Sequence, residues 1–416
     1  MDCPRLRPLE VTPTVHQGQK LLMLRDPQHF TDAVALVPLE FAFVLERLDG
    51  HHTVRDIQAD YMRAYGELLY SEQIEKLISD LDQALLLESE RFAGHRERLL
   101  QEFLSSPSRA PFLAGRTYEA DPERLRATIR TFYQPPEGPG LPGTNGQLVR
   151  GPLRAAVAPH IDFHRGGPTF AWTYRALEEA CGADLFAVMG TGHALAGSSF
   201  ALTRKDFETP LGTLRTDRAF VDRLAAGCRA DLFAEEFAQR AEHSVEFQAV
   251  LLRFLLESRG AGAQEASFVP ILCGSFHDLV LNSVKSPLSD PAVAEFIESL
   301  RAAIAASERE GRKVCLIASA DLAHVGPRFG DPLPLQPSDF ARLERQDRAM
   351  LEHVARGDAE GFFAIVRAEE DRRRVCGLSS IYVLLSALGG VRGELLKYSQ
   401  WPDPHGTVTF CSMAFR

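Results

Sequence analysis

The chain has 416 residues, of which 45% are hydrophobic and 25% charged, and its formal net charge at neutral pH is −10. Single cores rarely grow beyond about 250–300 residues, so this length predicts two or three domains, and the composition is that of a folded globular protein. An acidic balance without a basic stripe argues against a nucleic-acid partner, and no apolar run approaches the ~20 residues that cross a bilayer. We therefore expect no nucleic-acid and no membrane partner.

The cysteines indicate the compartment. All seven are dispersed along the chain, and no two form a CxxC pair. This pattern favours reduced, buried thiols over a disulfide framework or a structural zinc site. The amino-terminal residues carry no apolar core of a secretory signal, as a secreted precursor would. We therefore expect a cytoplasmic protein.

The first 92 residues predict a small domain of their own. An apolar run at 20–25 predicts a short strand, and three short helices follow it, the first near Pro38, the second from Thr53 and the third from Ser71. Thr53 begins a capping-box pattern, with an acidic residue three positions later. A strand followed by three short helices is typical of a winged-helix-like α+β domain.

Three segments of this domain, LLMLRDP, TVRDI and LISDLDQALLLE, resemble those of PqqD-type peptide-recognition domains. The resemblance implies that residues 1–92 add a peptide to the edge of a sheet, beside a helix. A small helical docking domain without a defined ligand fits the same pattern. A charged, helix-like stretch over 88–104 and a Ser- and Pro-rich segment after it predict a linker at 93–110 and a second domain at 111–416.

In the second domain, short apolar runs alternate with amphipathic segments. Such alternation predicts an α/β domain with a mostly parallel or mixed sheet flanked by helices, and a ligand site beyond the carboxyl ends of the strands. The predicted strands are 153–158, 185–189, 268–272, 314–318, 395–398 and 407–414. The predicted helices are 169–180, 218–227, 244–256, 292–307, 339–355 and 379–388.

Four histidines stand where such a site is expected. His160, His193 and His324 each follow a predicted strand, and His243 opens a predicted helix. Neutral imidazole binds iron, zinc and copper, and it also carries protons near neutral pH. A single histidine after a strand is more often a hydrogen-bonded loop residue than a ligand. Three at strand ends in one domain indicate a catalytic type of metal site with an open coordination position.

The motifs around these histidines, APHIDFHRGG, GTGH, FETPLGTLRTD, EHSVEFQ, SADLAH and VCG, resemble in sequence and order those of the Memo family, which includes AmmeMemoRadiSam system protein B. The resemblance runs from about residue 111 to the carboxyl terminus. It implies the fold of LigB-type class III extradiol dioxygenases, an iron or copper ion, and a radical S-adenosylmethionine protein as partner. It also implies that His160 and His193 are metal ligands and that His243 does acid–base work.

The resemblance places the third ligand of the family, a cysteine, at Ala323, which cannot coordinate a metal. Either the two imidazoles bind the metal with water alone, or Asp321, His324 or His164 completes the site. Asp162 adds a further polar group close to His160.

Two more residues are site candidates. Glu246 lies three residues after His243, so on a helix both side chains point the same way, and Glu246 is predicted either to orient that imidazole or accept its proton, or to be a solvated carboxylate. Cys376 belongs to the VCG motif, and a buried structural thiol is the expected role.

These observations leave three functional hypotheses open. The first is a Memo-family protein with a histidine-lined iron or copper site that works with a radical S-adenosylmethionine protein or a peptide. The second is a non-haem iron dioxygenase of the LigB type, which needs a carboxylate beside two histidines. The third is a metal-free scaffold whose cleft binds a peptide, an interpretation that Ala323 favours.

Overall fold

The structure is a computed structural model that describes residues 4–144, 146–260 and 266–416. The chain divides into two compact units, Met1–Ser105 and Ser106–Arg416. The boundary therefore falls within the predicted linker at 93–110, and most of that linker is helix. The helix-like charge pattern before Ser105 is a real helix, and it buries Phe92 and Phe103, so these residues belong to the first unit.

The first unit is a small α+β arrangement. Its middle strands, β2, β3 and β4, form an antiparallel sheet, and β1 pairs with β5. The predicted capping box is confirmed, because Thr53 accepts from the Asp56 N–H and Asp56 accepts from the Thr53 N–H. The winged-helix-like arrangement stays a prediction. The elements are β1 (Arg5–Leu6), β2 (Glu10–His16), β3 (Gln19–Arg25), β4 (Ala35–Pro38), α1 (Ala42–Leu45), α2 (Val54–Tyr65), α3 (Ser71–Gln83), β5 (Leu87–Glu88) and α4 (Glu90–Ser105).

The second unit is an α/β domain. All strands and helices predicted from residue 153 onward are present, and their ends differ by a few residues. The elements are β6 (Ser108–Arg109), α5 (Pro122–Phe132), β7 (Ala155–Ala158), α6 (Phe163–Ala180), β8 (Leu185–Thr191), β9 (Phe200–Leu202), β10 (Asp206–Thr209), β11 (Gly212–Thr216), α7 (Arg218–Ala226), α8 (His243–Ser258), β12 (Ser267–Cys273), α9 (His277–Leu281), α10 (Pro291–Arg309), β13 (Val314–Ser319), β14 (Asp321–Val325), α11 (Pro337–Ala355), α12 (Ala359–Ala368), α13 (Leu378–Leu388), β15 (Gly393–Trp401) and β16 (Thr407–Phe415).

One large mixed sheet organises this unit. Its order over the described residues is β14-β16-β7-β13-β8-β12-β11-β10-β6, with β15 beside β16 and β9 beside β12. Strands β7, β13, β8, β12 and β11, adjacent in this order, run parallel to one another. At the two ends of this group, β16 joins β7 antiparallel and β10 joins β11 antiparallel. The prediction of a mostly parallel or mixed sheet flanked by helices is therefore confirmed.

Helices cover both faces of this sheet. In β8, Ala187 and Met189 pack into one hydrophobic cluster with α7, α10 and α13, while Phe186 and Val188 pack into the other with α5, α6 and α8. Successive side chains of a strand point to opposite faces, so a strand buried on both faces has an unbroken apolar sequence. This explains why β7, β8, β12 and β13 were predictable, whereas the three-residue strand β9 and the short, partly polar strands β10, β11 and β14 were not. None of the described helices is long and apolar enough to cross a membrane.

Candidate functional site

The site lies at the carboxyl ends of the adjacent parallel strands β7, β13 and β8, as the sequence predicted. The amino terminus of α8 covers these ends, and side-chain hydrogen bonds hold it there. Ser244 Oγ donates to the Thr191 carbonyl at 2.9 Å, Ser319 Oγ donates to the Ser244 carbonyl at 2.5 Å, and Gln248 Nε2 donates to the Pro159 carbonyl at 2.7 Å. The polar residues of the EHSVEFQ motif therefore dock α8 onto three strand ends.

Gly190 in β8 explains how closely α8 approaches. A Cβ at this position would lie 2.4 Å from Ser244 Oγ and 2.6 Å from Val245 Cγ2. Those distances are below any ordinary contact, so a larger residue would push the first turn of α8 away from the sheet. The first glycine of the GTGH motif is thus required by packing.

The structure brings three of the predicted histidines together. One ligand nitrogen each of His160, His193 and His243 lies within 4.8 Å of the others. The rings of His193 and His243 stack, with centroids 4.6 Å apart and planes 23° apart. His160 meets both edge-on, at centroid distances of 5.3 and 5.4 Å. Residues from two strand ends and one helix start therefore form one imidazole cluster.

The buried ring of His160 is held in one tautomer. Its Nδ1 lies 3.0 Å from the Ser319 carbonyl oxygen, which can only accept, so Nδ1 carries the proton. The backbone N–H of His160 donates to Asp321 Oδ1 at 2.9 Å. His160 Nε2 is left to face the site, where Asp321 Oδ2 lies 3.7 Å away. The predicted candidate Asp321 is thus a neighbour of His160.

His193 is oriented by a carboxylate that the sequence did not single out. Glu242 Oε1 lies 3.0 Å from His193 Nδ1, and Oε2 accepts the backbone N–H of His193 at 2.9 Å. Glu242 is buried and is also the N-cap of α8, where it accepts from Ser244 N. An acidic residue before a helix normally indicates a cap. The sequence therefore predicts the capping role of Glu242 but not its contact with His193.

Cys376 is the largest correction to the sequence prediction. Its Sγ lies 3.0 Å from His160 Nε2 and 3.8 Å from His193 Nε2, so the thiol is part of the site rather than a structural side chain. Ala323, the position predicted to match the family's cysteine, is buried in β14, and its side chain has no atom that could coordinate a metal. The thiol comes instead from the loop before α13, which is remote in sequence from the other strand ends.

Gly377 allows this loop to reach the site. A Cβ at Gly377 would lie 2.5 Å from Ala320 Cβ and 2.6 Å from the Asp321 carbonyl oxygen. The backbone N–H of Cys376 donates to the Leu322 carbonyl at 3.1 Å, and that of Gly377 donates to the Asp321 carbonyl at 2.8 Å. The CG dipeptide therefore fixes the thiol against β14.

The charges of these groups are strongly coupled. Burial favours the neutral thiol, but the imidazoles of His160 and His193 outweigh it and hold the pKa of Cys376 well below its ordinary value. Burial likewise opposes the charge of His160, yet the nearby thiolate of Cys376 and carboxylate of Asp321 raise its pKa to about 9. The thiolate, the nucleophilic and metal-binding form of cysteine, is thus the favoured form of Cys376.

The structure excludes one of the two predictions for Glu246. Its carboxylate is buried, not solvated, and it accepts from the Leu113 N–H at 2.8 Å and from the Tyr118 hydroxyl at 2.6 Å. Arg109 Nη1 lies 2.5 Å from Glu246 Oε2. Helical spacing predicted which face of α8 carries Glu246. The partners of its carboxylate come from the 109–118 segment, so Glu246 holds that segment against the helix.

Three other candidates have partners outside the cluster. His324 Nδ1 lies 3.2 Å from the Leu322 carbonyl oxygen, and its ring packs 5.1 Å from that of Phe329. Asp162 caps α6 and pairs with Arg165 at 2.6 Å. His164 is exposed, with its ring 5.8 Å from that of Trp401. None of these three belongs to the imidazole cluster found among the described residues.

The donor set suits a transition-metal ion. Imidazole nitrogens and a thiolate together favour copper, iron or zinc over magnesium or calcium. Donors on one tetrahedral ion stand roughly 3.5 Å apart, given bonds of about 2.1 Å to nitrogen and 2.3 Å to sulfur. The two Sγ–Nε2 separations, 3.0 and 3.8 Å, lie on either side of that value. His160, His193 and Cys376 therefore fit a bound metal with little movement.

Known proteins are similar to this chain over most of its length. A family model described as Memo-like protein matches residues 109–409. A MEMO1 family protein of Methanopyrus kandleri is 31% identical over 320 residues, 74% of this chain and 99% of that one. A MEMO1 family protein of Aquifex aeolicus is 25% identical over 417 residues and covers 99% of both chains. The alignment with the Aquifex protein therefore includes the first unit.

Proposed function

Because this chain belongs to the Memo family, we propose that it holds an iron or copper ion between His160, His193 and Cys376. The observation that carries the proposal is the contact of one thiol with two imidazoles whose Nδ1 atoms are already engaged, at Ser319 and Glu242. Metal-binding histidines typically donate their second N–H to a carbonyl or carboxylate in this way. The site is then set up for metal before any metal arrives.

The surrounding residues define what such a centre can do. Iron or copper supplies one-electron chemistry when bound. His243 stacks on His193 and stands beside the donors without being needed as a ligand, so it is the group that would move a proton to or from a bound molecule. Asp321 accepts the backbone N–H of His160 and adds a carboxylate beside that ring.

The test is the metal content of protein purified without an affinity metal. Elemental analysis of the wild type should give close to one iron or copper per chain, and Cys376→Ala and His160→Ala should lose most of it. Cys228→Ala is the matched control, because that half-buried thiol follows α7 and donates to the Leu224 carbonyl. Wild-type protein that takes up neither metal, even after reconstitution under reducing conditions, would contradict the proposal.

A second candidate function is ring-opening oxygenation of the LigB type, with the corresponding fold. Asp321 Oδ2 near His160 Nε2 favours it, because two histidines and one carboxylate are the ligand set of many iron oxygenases. Cys376→Ala separates the candidates. An oxygenase centred on the carboxylate would keep its iron in this variant and consume oxygen with a catechol, whereas a thiolate-bound centre would lose the metal.

The metal-free scaffold is the weakest of the three hypotheses. Its main support was Ala323, which leaves the predicted ligand position without a thiol. Cys376 brings a thiol to the site from another loop, so this support is lost. The scaffold interpretation predicts wild-type protein that folds normally and has no affinity for iron or copper. The same elemental analysis therefore decides it.

The first unit offers a place for the peptide or radical S-adenosylmethionine partner. A groove of about 540 Å³ lies between β4 and α3, with Leu36 and Leu77 among its lining residues. Of the described strands, only β3 pairs with β4, so the other edge of β4 can accept an extended peptide. Leu36→Glu should abolish comigration of the full chain with its radical S-adenosylmethionine companion in gel filtration. The control Leu68→Glu changes a similarly exposed leucine outside the groove.

A further inference from the structure

One buried carboxylate contacts two of the three clustered imidazoles. Glu242 Oε1 lies 3.0 Å from His193 Nδ1 and 3.3 Å from His243 Nδ1, and Oε2 accepts the backbone N–H of His193. We propose that Glu242 is a positioning residue, whose carboxylate fixes both imidazoles in the Nδ1–H tautomer and thereby leaves both Nε2 lone pairs free. The expected effect on metal affinity rests on the proposed function, whereas the assignment of the tautomers is independent of it.

The argument begins with what a carboxylate can do. An ionised carboxylate only accepts hydrogen bonds, so a neutral imidazole whose Nδ1 contacts it must carry its proton on Nδ1. The carboxylate of Glu242 also accepts the backbone N–H groups of His193 and Ser244, and hydrogen bonds of this kind favour the ionised form. His160 receives the same constraint from the Ser319 carbonyl, so each of the three rings has an acceptor at Nδ1.

Glu242 is itself rigidly held. Its side chain is only 2% exposed, and Oε1 also accepts the Ser244 N–H at 2.9 Å. Its backbone carbonyl accepts from Arg109 Nη2 at 3.2 Å, and the same buried guanidinium donates through Nε to the Gln239 carbonyl at 2.9 Å. A carboxylate fixed at both its side chain and its backbone can impose an orientation on the rings that it contacts.

Glu242→Gln tests this role because an amide cannot replace both oxygens. His193 presents two donors, N–H and Nδ1–H, to the two oxygens of Glu242, whereas the amide of glutamine offers one acceptor and one donor group. If the amide keeps the backbone bond, its NH₂ group faces Nδ1 of His193, which then becomes an acceptor. The proton of that ring moves to Nε2, the atom that faces Cys376.

The measurement is a long-range ¹H–¹⁵N spectrum of metal-free full-length protein with ¹⁵N-labelled histidine, at a pH where the rings are neutral. We expect His193 and His243 in the Nδ1–H form in the wild type, and His193 largely in the Nε2–H form in Glu242→Gln. Copper(I) affinity, measured against a competing chelator, should fall about 10–100-fold. Glu235→Gln is the matched control, since Glu235 accepts N–H groups of Ala196 and Ser198 in the same loop, and no imidazole is among its partners in the described part of the chain.

Each outcome decides the proposal. A wild-type spectrum with His193 in the Nε2–H form overturns it without any variant, as does an unchanged tautomer in Glu242→Gln. Should Glu242→Gln fail to fold, Glu242→Asp is the alternative, because it keeps the charge and withdraws the carboxylate by one methylene. It should raise the Nε2–H population of His193, and an unchanged spectrum overturns the positioning role of Glu242. If the wild type binds no copper or iron, the proposed function fails while the spectra still decide the role of Glu242.

Discussion

The buried ion pair between Glu246 and Arg109 allows a quantitative test of a residue that sequence spacing assigned to catalysis. Glu246 Oε1 accepts from the Leu113 N–H and the Tyr118 hydroxyl, and Oε2 accepts from the Phe112 N–H and faces Arg109. In Glu246→Gln one of these oxygens becomes an NH₂ group. Two of the four donors then lose their acceptor, and the buried guanidinium loses its countercharge.

The free-energy cost follows from these contacts. Removing one partner of a buried ion pair typically costs about 3–5 kcal/mol, because the other charge is left buried. Arg109 keeps carbonyl acceptors at Gln239 and Glu242, so we expect the lower end of this range, about 3 kcal/mol. For a unit of this size that corresponds to a fall in melting temperature of roughly 5 °C.

Urea unfolding followed by tryptophan fluorescence reports on the second unit, which contains Glu246. Trp172 and Trp401 are the two tryptophans of the chain, and both lie after Ser105. The matched control is Glu257→Gln, the same change on the same helix, where the ion pair with Arg126 is only partly buried and should be worth less than about 1 kcal/mol. A loss in Glu246→Gln no larger than in Glu257→Gln would refute the reasoning. Unchanged metal content in Glu246→Gln would show that this residue acts on the fold.

Three further outcomes are expected. The pKa of Glu179 is lowered, since its N–H donors and a guanidinium outweigh the effect of burial. Its contribution to stability is therefore fully present above pH 4.5 and is lost progressively as pH falls through the lowered pKa of the folded state, so Glu179→Gln should destabilise the protein at pH 7 and less at pH 4, by urea unfolding. Gly377→Ala should cost about 1–3 kcal/mol in the same assay and lower the metal content, because it displaces Cys376. Residues 1–105 expressed alone should melt cooperatively by circular dichroism, and residues 1–92, which lack most of α4, should melt at a lower temperature.

The controls for these outcomes come from the same chain. Gly182→Ala introduces a Cβ that meets nothing closer than Lys313 Nζ at 4.0 Å, so it should change neither stability nor metal content. A stability difference for Glu179→Gln that is equally large at pH 4 and pH 7 would show that the charge of Glu179 is not the cause. A disordered 1–105 fragment would show that the first unit needs the rest of the chain.

Local sequence determined the elements and part of the site. The apolar runs of β7, β8, β12 and β13 were visible because strands buried on both faces need apolar side chains at every position. His160 and His193 were predictable as neighbours, because residues that follow parallel strands meet at one edge of the sheet. The capping box at Thr53 was equally legible, since all its partners lie within four residues.

Only the tertiary structure decided how the site is completed. Cys376 approaches His160 because the loop before α13 packs on β14 where Gly377 leaves room, and no spacing rule relates residues so far apart in the chain. Glu242 resembles an ordinary helix cap until the loop after β8 places His193 against it. Periodicity fixes which side chains share a face of one element, but the partner of a buried charge or thiol depends on which other element packs against that face.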